Sequence, residues 1–398
     1  MTVTEKRMAW GDFTINLKPD TPRQIIQKLN DSWYGLIRVY GQRVSTSAVG
    51  SAPGLFTGVM LDRTNRFEIG GASGTWYLGE ASDGTSTEET GPLSVTTMTH
   101  NGSTSGSMQD WVGTVLATTV CGLFPIYLGG PGSGTKYAGS FTRKTAKTIF
   151  DSWVCPRFGV EYRVNPDLTI DFGYTADLYP LPAQIPLAVK RGGRDPNVIG
   201  LNSPQLSLEQ SVRDRTSRAI TVISSPSTYQ AVSAGTWPYK NPQGDPLNWT
   251  RQVGGTSSSQ ATVPLANAEA LANSNAVLAD SLRSSRSIKV QSREYAITQR
   301  VGPGDYIYVY DLDEGLYDQT NAIQFRGELI YPVLLRVEEV VWPLEPGMSV
   351  HLDNRHQGGG LDVTDLTRYV DFDSDGSETT VVVGAPPATL GKTIRRKK

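Results

Sequence analysis

The acidic segment Asp371-Phe372-Asp373-Ser374-Asp375-Gly376 is the part of the sequence that comes nearest to a metal-binding loop. Its spacing matches the first half of an EF-hand loop, in which alternating side-chain oxygens and a glycine at the sixth position surround Ca²⁺. The twelfth position of such a loop needs a bidentate Glu, and Val382 stands there instead. We therefore interpret the segment as a solvated acidic turn, with a weak calcium site as the alternative.

Other catalytic and metal-binding patterns are incomplete. Three histidines and two cysteines do not supply the ligands of a structural zinc centre at a suitable spacing. The glycine-rich segment at 129–134 is followed by Thr135-Lys136, whereas a phosphate-binding loop needs Lys followed by Ser or Thr. No Ser is flanked by glycines two residues away on both sides, as a hydrolase nucleophile would be. We expect no metal, no cofactor and no enzymatic activity.

The composition favours a protein built from short β-strands. The chain has 398 residues, of which 41 are Gly and 24 are Pro, and these residues interrupt strands more readily than they continue helices. Its net charge of −2 provides no general attraction for nucleic acid. Cys121 and Cys155 are interpreted as reduced thiols, with a single disulfide left open.

The sequence also contains no segment that is typical of secretion or membrane insertion. Its first 17 residues lack an apolar core, and the most apolar window, 115–130, includes Pro125 and is shorter than a membrane helix. We expect a chain that is made in the cytoplasm and is not stably inserted in a membrane.

Alternating and helical patterns divide the chain into several predicted units. Residues 106–200 form a mixed α/β unit with a helix at 142–155, ended by Pro156 and Gly159, and a hairpin at 160–173 around Asn165-Pro166-Asp167. Residues 229–283 form an insertion, with an Ala-rich helix at 266–286. Strand patterns occupy 1–105, 201–228 and 284–352, and a polar C-terminal extension occupies 353–398.

The segment 302–310 is a turn followed by a strand with two chemically different faces. Gly302-Pro303-Gly304-Asp305 supplies the turn, and Tyr306-Ile307-Tyr308-Val309-Tyr310 follows it. Successive side chains of a strand point to opposite sides, so the two aliphatic residues face one side and the three tyrosines the other.

Two stretches, 145–173 and 293–350, together resemble the minor tail proteins of long-tailed actinobacterial phages, of the baseplate or tail-tip hub type. The resemblance is carried by strand and turn motifs and includes no catalytic signature. These motifs are Gly304-Asp305, Val309-Tyr310-Asp311, Arg336-Val337, Val341-Trp342-Pro343 and Gly347-Met348-Ser349-Val350.

The resemblance implies a mainly β fold with α+β parts. Two barrel-like tube domains are expected, one at 1–105 and a split one at 201–228 with 284–352, together with the mixed helix-hairpin domain and the inserted loop-helix region. On these terms Ile307 and Val309 face a barrel core. Tyr306, Tyr308, Tyr310 and Trp342 are candidate interface residues, because aromatic side chains are enriched where subunits or domains meet.

The resemblance also implies a structural role in the virion. The expected protein is a homotrimeric ring at the tail tip, a hub that joins the tail tube to the tip and forms a channel for DNA and the tape-measure protein. Its partners would be the distal tail protein, the tape-measure protein and other minor tail proteins, and DNA would pass without sequence-specific binding. The alternatives are a distal tail ring protein and a receptor- or carbohydrate-binding tail protein.

Overall fold

The computed structural model describes residues 2–79, 94–100, 106–118, 123–137, 139–181, 185–190, 198–201, 207–211, 218–223, 229–234, 242–244, 250–256, 271, 274, 285–292, 301–310, 322–354, 362–372 and 379–384.

Helices are few and short. They are α1 (Arg23–Asn30), α2 (Met108–Thr118), α3 (Ala146–Ile149), α4 (Cys155–Phe158) and α5 (Thr175–Leu178), with 3-10 turns at Thr46–Ala48 and Gly74–Leu78 and a π-helical segment at Phe150–Val154.

Strands make up most of the described structure. They are β1 (Thr2–Lys6), β2 (Asp12–Asn16), β3 (Leu36–Tyr40), β4 (Phe56–Asn65), β5 (Glu68–Ser73), β6 (Ser94–His100), β7 (Phe124–Tyr127), β8 (Gly139–Thr145), β9 (Glu161–Val164), β10 (Thr169–Gly173), β11 (Leu187–Lys190), β12 (Val198–Leu201), β13 (Ser207–Ser211), β14 (Arg218–Ile223), β15 (Tyr229–Ala234), β16 (Thr250–Thr256), β17 (Ser285–Ser292), β18 (Tyr306–Tyr310), β19 (Ile323–Phe325), β20 (Glu328–Ile330), β21 (Val333–Pro343), β22 (Ser349–Asp353), β23 (Val363–Asp365) and β24 (Thr379–Gly384).

A 14-stranded main sheet joins the two ends of the chain. Its order is β12-β11-β18-β21-β1-β2-β5-β4-β3-β22-β23, and β24 pairs with both β21 and β17, beyond which lies β13. The long strand β21 contacts β18 near its start and β1 near its end, with Val3 opposite Trp342. The fold is therefore mainly β, as predicted.

The main core draws on both predicted tube domains at once. Val3, Phe13 and Ile37 from the N-terminal strands share one buried cluster with Ile307 and Val350. Among the described residues no sheet closes on itself, so the two expected barrels are not seen as separate closed bodies. The proposed domain boundaries stay a prediction.

The helix-hairpin region forms a second core together with Leu36 and Val59 of the main sheet. Trp111, Phe150, Tyr162, Ile170 and Phe172 are fully buried in it. The strands β9 and β10 pair in antiparallel register, with Ile170 opposite Val164, so the predicted hairpin is present.

The helix in this region differs from the predicted 142–155 at both ends. Residues up to Thr145 belong to β8, and the Thr145 side chain accepts a hydrogen bond from the backbone N–H of Thr148, which caps the helix start. Pro156 does not end the helix, because helical backbone continues from the π-helical segment through α4 on both sides of it. The helix ends at Gly159, whose φ of 66° is a left-handed conformation that glycine adopts easily.

The region 201–283 also differs from its predicted division. Strand β13 pairs with β17 of the main sheet, whereas β14 pairs with β15 and β16 in a separate three-stranded sheet. Of the predicted helix 266–286, Leu271 and Ser274 are helical and residues 285–286 begin β17, while the others lie outside the described residues.

Two strands from the predicted C-terminal extension, β23 and β24, belong to the main sheet. Strand β24 lies between β17 and β21, and Val381 and Val383 are fully buried. Val382 alternates with them and points to the opposite face. No helix in the part of the chain that the structure describes is long and apolar enough to cross a membrane.

Candidate functional site

The tyrosine strand β18 lies between β11 and β21 in the main sheet. Ile307 and Val309 are fully buried in the main core, as the alternation predicted. Tyr306 is only 3% exposed and packs with Leu178, Tyr179 and Leu334. The tyrosine face at this position is therefore covered by a segment of the same chain.

The other two tyrosines are half-buried. Tyr308 and Tyr310 pack in a smaller apolar cluster with Ile323 and Phe325 of the β19–β20 hairpin. They retain some surface, so a role at an interface stays a prediction that concerns these two residues most.

Trp342, the fourth predicted interface residue, is 2% exposed and faces the main core. Its Nε1 donates a hydrogen bond of 2.9 Å to Oε2 of Glu5 on the paired strand β1. Burial raises the pKa of Glu5 to about 7, although this bond acts in the opposite direction. Trp342 thus contributes its ring to the core and its N–H to a partly buried carboxyl group.

The structure explains why Gly304 and Asp305 occupy the turn before β18. Gly304 has a φ of 102°, and a Cβ atom at this position would lie 2.1 Å from the Tyr179 ring. Asp305 stabilises the turn, because its carboxylate accepts a hydrogen bond of 2.8 Å from the backbone N–H of Gly302. The turn therefore needs glycine both for its backbone conformation and for the space that Tyr179 occupies.

Arg336 is the centre of a buried charged junction between the main sheet and the helix-hairpin region. Its Nη1 and Nη2 donate to Oε1 and Oε2 of Glu161 at 2.8 and 2.6 Å, and its Nε donates to the carbonyl of Gly304 at 3.1 Å. Its guanidinium carbon lies 5.0 Å from the centre of the Tyr179 ring and 5.8 Å from that of Tyr306. This bidentate pairing fixes β21 against β9 in one orientation.

A second arginine completes the junction. Arg7 Nε donates to Glu338 at 2.7 Å, and its Nη1 lies 3.4 Å from Glu161. Burial alone would raise the pKa of Glu161, but the hydrogen bonds and charge of Arg336, with the charge of Arg7, outweigh burial and lower that pKa. Burial also lowers the pKa of Arg7, and Glu338 more than offsets it, so both groups stay ionised.

Close to this junction, Lys147 also links the helix-hairpin region to the segment that follows β1. Its Nζ donates to the carbonyl of Met8 at 2.6 Å, to Asp151 at 2.6 Å and to the Tyr162 hydroxyl at 3.1 Å. The lysine is buried although it is charged, which three strong acceptors make tolerable.

A cleft of about 280 Å³ opens at this junction. Glu5, Arg7, Tyr162, Tyr179 and Asp305 are among the residues that line it. Its described lining contains no His or Cys, and Arg7 is held by ion pairs. The arrangement can orient two parts of the chain relative to each other.

Metal-binding residues do not converge in the described part of the chain, where no group of three or more His, Cys, Asp or Glu side chains could hold an ion. Asp371 lies at the edge of the predicted acidic turn, and residues 373–378 lie outside the described residues. Cys155 is a buried free thiol whose pKa is raised by burial, while Cys121 lies outside the described residues.

Sequence reasoning missed the charged junction. Arg336 and Glu161 are separated by 175 positions, and no local pattern connects them. The sequence offered one signal, because Arg336 interrupts the apolar run at the start of β21. The structure buries this position, and a buried cation requires a partner of opposite charge.

Comparisons with known proteins give similarity at the level of structure alone. No family model and no curated protein sequence matches the chain. A tail protein from Neisseria meningitidis MC58 has a TM-score of 0.48 with 14% identity, and the match covers 96% of this chain and 90% of that one.

Two further solved structures are similar at the same level. The 43 kDa tail protein of prophage MuSo2 from Shewanella oneidensis has a TM-score of 0.47 with 11% identity, covering 97% of this chain and 93% of that one. The prophage tail protein gp18 from Listeria monocytogenes EGD-e has a TM-score of 0.49 with 7% identity, covering 98% and 89%. All three TM-scores are below 0.5, a level that does not establish a shared fold.

Proposed function

We propose that this protein is a structural component of a phage tail, located at the tail tip of the virion. The observation that carries the proposal is the resemblance of its strand and turn motifs to tail-tip hub proteins. The segments with these motifs are joined through one sheet, because β18 pairs with β21, β21 pairs with β1, and β22 pairs with β3. Tail proteins are also the class of the solved structures named above, which agrees with the proposal but does not carry it.

The charged junction supports a role in holding structure rather than in catalysis. Glu161, Arg336, Arg7 and Glu338 neutralise one another at 2.6–3.4 Å between the main sheet and the helix-hairpin region. Paired groups of this kind fix the relative orientation of the two regions. A non-enzymatic function predicts no clearing of cell-wall material in a zymogram, and a clearing zone that is lost on changing one carboxylate would overturn it.

The finer proposal is a hub that assembles as a homotrimeric ring. It would join the tail tube to the tip, contact the distal tail protein, the tape-measure protein and other minor tail proteins, and give DNA a channel without sequence-specific contacts. Closed cyclic symmetry is the usual solution for such an assembly.

The test is the number of copies in the assembled ring. Three copies of a 43.2 kDa chain give a particle of about 130 kDa in native mass spectrometry or light scattering. Six copies would favour a distal tail ring protein. A chain that mass spectrometry does not detect in purified virions would not be a structural tail component at all.

A further inference from the structure

Exposed apolar side chains lie on β7 and just after β10. Phe124, Ile126, Tyr127, Leu128 and Tyr174 are between 37% and 70% exposed. Phe124, Ile126 and Leu128 alternate along β7 and point to one face, while Tyr127 lies opposite the buried Phe172 and points to the other. The three side chains on the first face form the exposed apolar patch, and a patch of this kind marks a surface that another chain segment covers.

The patch is not built to accept a further strand. Among the described residues β7 pairs with β10 alone. The N–H groups of Phe124 and Leu128 both bond to β10. Because backbone N–H and C=O groups point to alternate sides along a strand, those of Pro125 and Tyr127 face the open edge of β7. Pro125 has no N–H to offer there, which blocks regular pairing. A segment that covers the patch must therefore use side-chain contacts.

Two exposed carboxylates border the apolar patch. Asp167 lies at one end, where it accepts a hydrogen bond from the backbone N–H of Thr169 opposite Phe124. Asp177 lies at the other end, next to Gly129. The patch thus fits a segment with apolar side chains and positive charges.

We propose that the C-terminal segment 385–398 covers this patch in its own chain. The segment follows the last described residue, Gly384, and contains five cationic side chains and no acidic one. It also carries Leu390 before the first cation and Ile394 between Lys392 and Arg395. Its apolar residues match the patch, and its charges match the acidic border.

The point where β24 ends puts the patch within reach of this segment. Gly384 is opposite Arg336, Arg336 binds Glu161, Glu161 is opposite Gly173, and Gly173 adjoins Gly129 at the end of β7. Paired strands are about 5 Å apart, so these steps cover on the order of 25 Å. Fourteen extended residues span up to about 45–50 Å. The C-terminal segment is therefore long enough to reach and cross the patch of the same protein molecule.

Hydrogen exchange read by mass spectrometry tests the docking on the full chain. Deleting residues 385–398 should make the amides of 123–130 exchange about tenfold faster, the change expected if docking contributes about 1.4 kcal/mol. Replacing the five cations with glutamine should give a change in the same direction. The peptide 322–330, with the 60% exposed Leu329, is the control and should not change. Equal exchange of 123–130 in all three proteins would overturn the proposal.

Carbodiimide cross-linking decides which chain supplies the segment. Lysines 392, 397 and 398 should link to Asp177 in the wild-type protein, and the Asp177→Asn variant should lose that link while keeping its fold. In a mixture of ¹⁴N- and ¹⁵N-labelled protein, links should join peptides of the same label. Mixed-label links alone would assign the segment to a second copy and overturn docking within one chain.

Discussion

Arg336→Met is expected to destabilise the protein strongly, because it removes the centre of the buried junction while keeping an unbranched side chain of similar width. Arg336 is 4% exposed and makes two charge-assisted bonds to Glu161 and one to the Gly304 carbonyl. Without it Glu161 keeps a hydrogen bond from Thr175 at 3.0 Å and the charge of Arg7 at 3.4 Å. The carboxylate then stays ionised in a partly buried position with weaker compensation.

The expected loss of unfolding free energy follows from these contacts. Removing one member of a buried ion pair costs about 3–5 kcal/mol. Glu161→Gln keeps an acceptor for Arg336 and should cost less, about 1.5–3 kcal/mol. Because the two residues contact each other directly, the double variant should cost less than the two single changes together, with a coupling of about 1–3 kcal/mol.

Urea unfolding followed by tryptophan fluorescence and circular dichroism measures all four proteins of this cycle. The control is Glu339→Gln, because the Lys6–Glu339 pair is 3.7 Å long and about one third exposed. This change should cost less than about 1 kcal/mol. A loss below about 1 kcal/mol for Arg336→Met, or additive effects of Arg336→Met and Glu161→Gln, would refute the role assigned to the junction.

Three further outcomes are expected from single sites. Because the pKa of Glu161 is lowered in the folded state, its carboxylate stabilises the protein fully above the ordinary pKa of 4.5, and this stabilisation is lost as pH falls through the folded-state pKa. Glu161→Gln should therefore make the free energy of unfolding less sensitive to acid. Glu5 behaves in the opposite way, because its folded-state pKa of about 7 means that its ionised form destabilises the folded protein. Glu5→Gln should therefore stabilise the protein by about 1–3 kcal/mol at pH 8 and by much less at pH 5. Equal effects of this change at both pH values would contradict the prediction. Gly304→Ala should lower the thermal midpoint much more than Gly327→Ala, because both have positive φ but only Gly304 meets a ring; equal losses would show that backbone strain alone decides.

Local features of the fold could be predicted from the sequence because their signals are local. The period of two in 306–310 correctly assigned Ile307 and Val309 to the core, and Asn165-Pro166-Asp167 correctly located a hairpin turn. The start of the helix after β8 was predicted wrongly, because Thr142–Thr145 suits both a strand and the first turn of a helix.

Long-range pairing could not be predicted, because strand patterns do not identify their partners. Nothing in 1–6 indicates that β1 lies against β21, more than 330 positions away. The apolar run at 379–384 is typical of a strand, but no local pattern indicates its place between β17 and β21. The junction of Arg336 with Glu161 depends on the same distant pairings, so it became visible only in three dimensions.

Cryo-electron microscopy of intact tails that contain this chain tests the central proposal most directly. A structural hub predicts density for the main sheet at the tail tip, in three copies around the channel. Three copies with the Arg336–Glu161 junction intact in each would agree with the account. Six copies in a ring above the tip, or no density for this chain anywhere in the tail, would contradict it.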